Sequence, residues 1–467
     1  MKKLLLCTTA LAGFVAGSAF ADESAANTMQ VTVGGNSKFE AGSVSRTKAN
    51  RTEYSFSPNQ ETSTFYTSQK AYLKAEGKAD DMVYGAVIRL QTVGNSSNGL
   101  GDTRNDRSHI FLDTNAGSVQ LGSNFAASKL FQVDAGTIAS GTGGASDGDW
   151  PTFVDIGTKA QSDDQYDASS YLAQNADTLS DRLDGRVEGS RKITYISPTI
   201  SGVRLGVSFT PDLQNNGGEG FLDENRATYL GRELRVKNIW SLALSYNNSF
   251  NDVDVALSAA ANFGTANKKN APVSNVSVSG NTVTGTITQT GNTISITNVN
   301  VNNNFTGQNV GKGNVNNLKT YAVGGVVGYN GFKFALSYAD DGKSLAPQNT
   351  PANFPNGGGS NFRSSWWTSG IAYESGPGSV SLTYMNAKKG NKNSGIANVT
   401  NSDGTTTSYN YGQVKTTVWS LGAAYEVAPG LKPFAEIDQV QFKQQNVING
   451  NTKYKATVYL LGTRIKF

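Results

Sequence analysis

The residue types that could do chemistry in this chain are few and unevenly placed. His109 is the only histidine, so histidine-based metal clusters and Ser–His–Asp sets have little to build on. Cys7 is the only cysteine and lies inside an N-terminal apolar run; once that run is removed, no disulfide, thiol nucleophile or zinc–thiolate site is possible. Carboxylates crowd one segment instead. Asp134, Asp147, Asp149, Asp155, Asp163, Asp164, Asp167, Asp177, Asp181 and Asp184 face only Lys129, Lys159 and Arg182 between residues 127 and 185. Asp147 and Asp149 in "SDGDW" are spaced like two early calcium-loop ligands, but no bidentate Glu follows at the required distance, so no metal and no cofactor is expected. Taken alone, such an acidic run is a solvated loop surface. Cations behave differently: Lys38, Lys70, Lys74, Arg89, Arg107, Lys192, Arg204 and Lys333 each sit in a short run where apolar residues alternate with them.

That alternation identifies the elements that must carry the cations. "YGAVIRL" sets Tyr84, Ala86, Ile88 and Leu90 against Arg89, and "VRLGVSF" sets Val203, Leu205, Val207 and Phe209 against Arg204 and Ser208. "FKFALSY" and "VWSLGAAY" repeat the pattern with Lys333 and Ser420 on the polar side. A period of two is a strand with one apolar face. Many rows end in Tyr or Phe, as interfacial girdle residues do. A cation facing lipid at the bilayer midplane costs about 2–4 kcal/mol and one facing a lumen costs little. Parity therefore turns the cations inward if the sheet is a membrane barrel. His109 falls on the same inward parity beside Arg107, as a packed wall residue rather than a ligand. A soluble sandwich with one buried face is the competing architecture, and it leaves the aromatic-ended rows unexplained.

Connection lengths favour the barrel. Short turns fall at 78–81, 115–118, 197–202, 247–252, 329–332, 375–379 and 428–430. Long polar segments occupy 46–61, 94–106, 127–185, 213–235, 267–317, 343–363, 391–411 and, more briefly, 445–451. Seven short turns and eight longer loops imply about sixteen antiparallel strands, an even number that can close. "MKKLLLCTTALAGFVAGSAFA" has two lysines, about 13 apolar residues and small residues at Ala19 and Ala21. It predicts a secretory signal peptide over 1–21, with one barrel over 22–467. No second apolar stretch is long enough for a membrane helix. Net charge is +4, falling to +2 without Lys2 and Lys3, which is no nucleic-acid footprint.

The chain ends "ATVYLLGTRIKF". Tyr459, Leu461, Ile465 and Phe467 share one face of this last strand, and Arg464 and Lys466 share the other. The terminus resembles the C-terminal strand signal of Gram-negative general porins, and "ITYISPTISGVRLGVSFTPD" (193–212) resembles a hairpin of one large porin subgroup. The resemblance covers the whole mature chain. The Asn/Thr/Val-rich segment 267–317 departs from it, being longer than porin loops usually are; its alternating "TVTGTITQTGNTISITNV" could prolong barrel strands as a hairpin. What the resemblance implies is an outer-membrane, homotrimeric, non-enzymatic channel for passive diffusion of small hydrophilic solutes and ions. The terminal face of Tyr459, Leu461, Ile465 and Phe467 would be read by the barrel assembly machinery, and lipopolysaccharide and lipid would surround the wall. The 127–185 loop would fold into the lumen as a constriction. Its acidic residues, Asp134, Asp147, Asp149 and Asp155 foremost, would face a basic wall of Lys38, Lys70, Lys74, Arg89, Arg107 and Lys192, with Arg204 a weaker member. A substrate-selective channel, or a surface barrel whose long loops adhere, is the alternative.

Overall fold

In the computed structural model the described residues are 29–46, 63–93, 102–154, 190–212, 236–266, 275–279, 282–289, 292–300, 316–344, 363–389, 397–400, 406–409, 411–446 and 452–467. The leader at 1–21 lies outside them. Sixteen strands close into one antiparallel barrel. In chain order its first nine are β1 (Gln30–Arg46), β2 (Ser63–Ala79), β3 (Met82–Val93), β4 (Asp102–Thr114), β5 (Gly117–Ser123), β6 (Arg191–Ile196), β7 (Val203–Asp212), β8 (Val236–Phe250) and β9 (Val253–Ala266). The strands β10 (Asn275–Ser279), β11 (Thr282–Gln289) and β12 (Asn292–Asn300) stand apart. The barrel resumes with β13 (Leu318–Tyr329), β14 (Phe332–Gly342), β15 (Ser364–Ser375) and β16 (Gly378–Lys389). After a small hairpin, β17 (Ala397–Thr400) and β18 (Thr406–Tyr409), it ends with β19 (Tyr411–Tyr425), β20 (Leu431–Asn446) and β21 (Thr452–Lys466).

Period-two sequence becomes a two-faced wall. Leu73, Ile88, Leu205, Leu257, Leu336, Leu421 and Leu461 are all exposed on the outer face, Leu461 to 66 %. Between them Thr194, Ser208, Ser241, Thr368, Thr383 and Ser420 are buried on the other. Aromatic rings band the outer face at two levels. Phe332 meets Tyr373 near the short turns at 4.6 Å, and Trp367, Tyr384 and Trp419 run together toward the long loops at 4.8 and 4.5 Å. Among the described residues no helix is long and apolar enough to cross a membrane; the crossing is made by strands.

The seven short turns join the strands where expected. Asn330 (φ 47°) takes the left-handed conformation that a tight hairpin turn requires. Closure is made by β1 and β21, with Lys38 opposite Arg464 and Arg46 opposite Ala456. Phe467 completes that seam: its N–H donates to the Gly35 carbonyl at 3.1 Å and its carbonyl accepts from Gly35 N–H at 2.8 Å. Its ring lies over Gly35, where a Cβ would come within 2.7 Å of Cζ. The terminal aromatic is thus part of the wall.

Two boundaries differ from the sequence reading. Residues 94–106 are not all loop, because β4 begins at Asp102. Arg89 faces Arg107 while Leu90 faces Asn105, so Asp106 is an extra residue in a bulge that interrupts the alternation. The strands of 267–317 do not prolong β9 and β13 either. β10, β11 and β12 form a three-stranded sheet of their own. Gly-Asn pairs at 280–281 and 291–292 cut the alternating run into three short lengths, which favours pairing among themselves.

Strand length varies round the ring. β5 and β6 have 7 and 6 residues, against 17 for both β1 and β2. The chain leaves the wall after β5 and returns at β6, and the described part of that excursion, 124–154, lies against the inward-parity face of other strands.

Candidate pore constriction

The excursion is built of single turns: α1 (Ala127–Leu130), a 3-10 turn (Ala135–Ile138), α2 (Gly144–Asp147) and α3 (Trp150–Phe153). Such short pieces leave most backbone N–H groups without an internal partner, and burial demands that they find one. The wall supplies acceptors. Ala127 N–H donates to Ser208 Oγ (2.8 Å), Ser128 to Ser241 (3.0 Å), Val133 to Ser258 (3.2 Å) and Ala135 to Thr368 (3.1 Å). Farther along, Ser140 donates to Ser381 (2.7 Å), Ala145 to Thr383 (2.9 Å) and Thr142 to Glu436 Oε2 (2.9 Å). The acceptors run from β7 round to β20. Thr142 Oγ1 also donates to Glu436 Oε1 and accepts from Asp149 N–H at 3.0 Å.

Apolar contacts seat the end of the segment. Trp150, Phe153 and Val154 pack with Val44, Met385, Val418, Val458 and Leu460 of the wall, and Trp150 Nε1 donates to Ala145 O at 3.2 Å. Phe153 lies so close over Gly42 that no Cβ fits there.

The arc of β2, β3 and β4 is reached by none of those seven backbone bonds. It carries Lys70, Lys74, Arg89 and Arg107 on inward-parity positions. Tyr72 is directly opposite Arg89, and Arg89 opposite Arg107. Placing two guanidiniums side by side is unfavourable unless each has a partner. Arg89 lies 5.7 Å from the Tyr72 ring centroid, Arg107 3.0 Å from that of Phe125, and Lys74 5.3 Å from that of Phe111. Each such contact contributes about 0.5–2 kcal/mol. Lys74 also pairs with Glu76 at 2.5 Å. At the seam, Lys38 bridges Glu40 (3.0 Å) and Asp149. Segment and wall therefore meet through the Lys38–Asp149 ion pair at one end and through hydroxyls and the Glu436 carboxylate along the rest.

The sequence profile of Gram-negative porins matches residues 8–445. The chain belongs to this family. Proteins of Rickettsia bellii and Rickettsia conorii, both described as uncharacterized, are 27 % and 25 % identical to it over 506 residues, each match covering all of both chains. A triple mutant of Rhodopseudomonas blastica porin gives a TM-score of 0.47 at 14 % identity, over 94 % of this chain and 100 % of that one. With a closed sixteen-strand wall and family membership, the chain is an outer-membrane porin channel rather than an enzyme.

Within this porin the sequence-derived site residues fall into three groups. Lys38, Lys70, Lys74, Arg89, Arg107 and Arg204 all take the inward parity, Arg204 with its guanidinium 5.2 Å from the Phe131 ring. Asp147 and Asp149 lie on the segment near cations, Asp147 3.8 Å from Lys129. Asp134 and Lys192 are placed otherwise. Asp134, 1 % exposed, caps the 3-10 turn through Thr137 N–H (3.2 Å) and accepts from Gln132 Nε2 (2.7 Å). Burial, reinforced by the charge of Asp147, pushes its carboxyl up from 3.8 to about 6. Lys192 is 4 % exposed and donates to backbone carbonyls. Asp155 lies outside the described residues. His109 takes the inward parity opposite Val87.

Four buried acids among the described residues were not singled out from sequence: Glu40, Asp341, Glu436 and Asp438. The parity rule that picked the cations applies equally to "FAEIDQV", where Glu436 and Asp438 alternate with Ala435 and Ile437. The Ser and Thr acceptors carry no such signal, because each finds its partner only once the segment is in place.

Proposed function

We propose that this porin is a water-filled channel for passive diffusion of small hydrophilic solutes and ions, narrowed by the segment 124–154 lying in its lumen. The observation that carries the reading is the run of seven backbone N–H bonds that docks this segment on the inward-parity hydroxyls and Glu436. On the opposite arc, Lys70, Lys74, Arg89 and Arg107 would face the carboxylates of Asp147 and Asp149 across the opening. Opposed charges in a narrow, poorly screened space produce a transverse field. Such a field orients dipolar solutes and disfavours apolar ones without a tight binding site. Asp134 is left out of the lining because its carboxyl is used inside the segment, and Lys192 because its ammonium is used on the backbone.

Purified protein in planar bilayers tests this directly. Ohmic single-channel steps and a permeation rate for neutral sugars that falls smoothly with size are expected; no conductance, or saturation by one solute at low concentration, would overturn the proposal.

Three further readings belong to the same proposal. Residues 1–21 would be removed on export, so that the mature chain starts near Asp22, which N-terminal sequencing checks. The outward face of Tyr459, Leu461, Ile465 and Phe467 would be read by the barrel assembly machinery. Deleting Phe467 should then lower the folded yield in cells without altering the conductance of the barrels that form. Copies would associate as a homotrimer in lipid and lipopolysaccharide, and cross-linking in mild detergent that traps only monomer would count against it.

A further inference from the structure

The excursion between β5 and β6 has to leave and rejoin the wall at one place. The last paired positions are Ser123 and Arg191. Beyond them Asn124 and Ser190 flank the gap, 8 % and 0 % exposed. Their carbonyls have left the strand ladder inside a buried corner, where an unsatisfied acceptor is strongly unfavourable. Lys192 resolves this. Its ammonium donates to Asn124 O on the outgoing side and to Ser190 O, at 2.6 Å, on the returning side. Gly122 stands directly opposite Lys192 in the register, and a Cβ there would run into Ser108 O and His109 Cα of β4, at 2.5 and 2.8 Å. The Asn124 side chain is fixed separately, donating to Gln120 Oε1 at 2.6 Å.

We infer that Lys192 is a clasp: a positioning residue that ties together both ends of the excursion and so fixes the segment at the constriction, instead of a lumen charge that passing ions sense. A three-donor head on a long stem suits the task, since two carbonyls on different strands must be reached at once. A carboxylate could not donate, and a hydroxyl is too short. The inference rests on the constriction reading, but it separates from that reading experimentally.

The test is Lys192→Met in the full-length protein, which keeps an apolar stem and removes every donor. Open-channel current noise should rise severalfold, while the reversal potential in a low-salt gradient stays that of the parent. The decisive readout is rescue. Asn124→Cys with Ser190→Cys, added to Lys192→Met, places two thiols on the residues whose carbonyls the one ammonium reaches, so that a disulfide can tie the two ends in its place. Oxidised protein should be as quiet as the parent, and reductant should restore the noise. The chain's own Cys7 lies in the leader proposed to be removed. A shift of reversal potential toward cations with unchanged noise would make Lys192 a lining charge and overturn the clasp. So would noise that the disulfide does not quiet. If Lys192→Met alone gives no folded barrel, the oxidised double-cysteine form must restore folded yield, and failure to do so also overturns it. Should neutralising Asp147 and Asp149 leave ion preference untouched while this rescue succeeds, the constriction reading falls and the clasp stands.

Discussion

The two halves of the inner wall solve opposite problems with the same strand geometry. The arc of β2 to β4 carries Lys70, Lys74, Arg89 and Arg107, with Lys74, Arg89 and Arg107 laid against aromatic rings. The arc from β7 to β20 carries Ser, Thr and Glu acceptors that bind the backbone of a loop. One half holds cations against rings and neighbouring groups; the other spends its polarity on another part of the chain. The lesson is that inward parity alone does not define a pore lining. What matters is whether the segment covers that position.

The largest effect should come from undocking the covered half. Glu436→Ala removes a buried acceptor, 1 % exposed, that takes both the N–H and the hydroxyl of Thr142. A hydrogen bond to a charged group contributes about 1.5–3 kcal/mol, so the undocked population should rise roughly 10- to 100-fold. Single-channel records should show higher conductance and added substates; an unchanged record would break the comparison.

Next come the charges of the β2 to β4 arc. Lys70→Gln with Arg107→Gln should raise cation preference, read as a reversal potential in a salt gradient. The shift should shrink between 0.1 M and 1 M salt as the Debye length falls from about 10 Å to about 3 Å. If Glu436→Ala moves the reversal potential just as far, the two halves are not distinct. Asp147→Asn with Asp149→Asn should move preference toward anions, because the Lys38 ammonium loses its Asp149 partner.

A smaller, pH-dependent effect belongs to the covered half. Asp134 has its carboxyl raised from 3.8 to about 6 by burial first and Asp147 second. A raised acid pKa means that the docked segment holds the proton more tightly than a released one. Docking should therefore strengthen as pH falls from 6 toward 4 and weaken as it rises through 6. Open-channel noise should follow that window in the parent and lose its dependence in Asp134→Asn.

Ser208→Ala should matter least. It leaves the Ala127 N–H without its acceptor at a cost of about 1 kcal/mol. A slight rise in noise with unaltered ion preference is expected, and a change in selectivity would count against a docking role.

How much of this was legible beforehand follows the same division. Strand count and turn positions came from the run of short turns and long polar segments, and the inward parity of Lys38, Arg89 and Arg107 from alternation, because lipid enforces a period of two at every crossing. Glu436 was within reach of that rule. The bulge at Asp106 was not, since one extra residue among polar neighbours looks like loop. Nor were the acceptors: Ala135 and its partner Thr368 are 233 residues apart, and Ser or Thr on a strand is unremarkable until something docks there. Asp134 and Asp147 read alike in sequence, and only the 3-10 turn that Asp134 caps sets them apart.

The shortness of β5 and β6 has a consequence for the surrounding bilayer. At about 3.3 Å per residue and a tilt near 40°, strands of 7 and 6 residues rise only about 15–18 Å. A barrel's apolar band is about 25 Å tall, and β1 and β2 exceed it comfortably. Lipid beside the short arc must thin locally, at some fraction of a kcal/mol for each ångström of mismatch. Hydrophobic thickness is thus uneven around the circumference. The sector at β5 and β6 is where a lipid shell is held least tightly, and where a second barrel would displace it most readily.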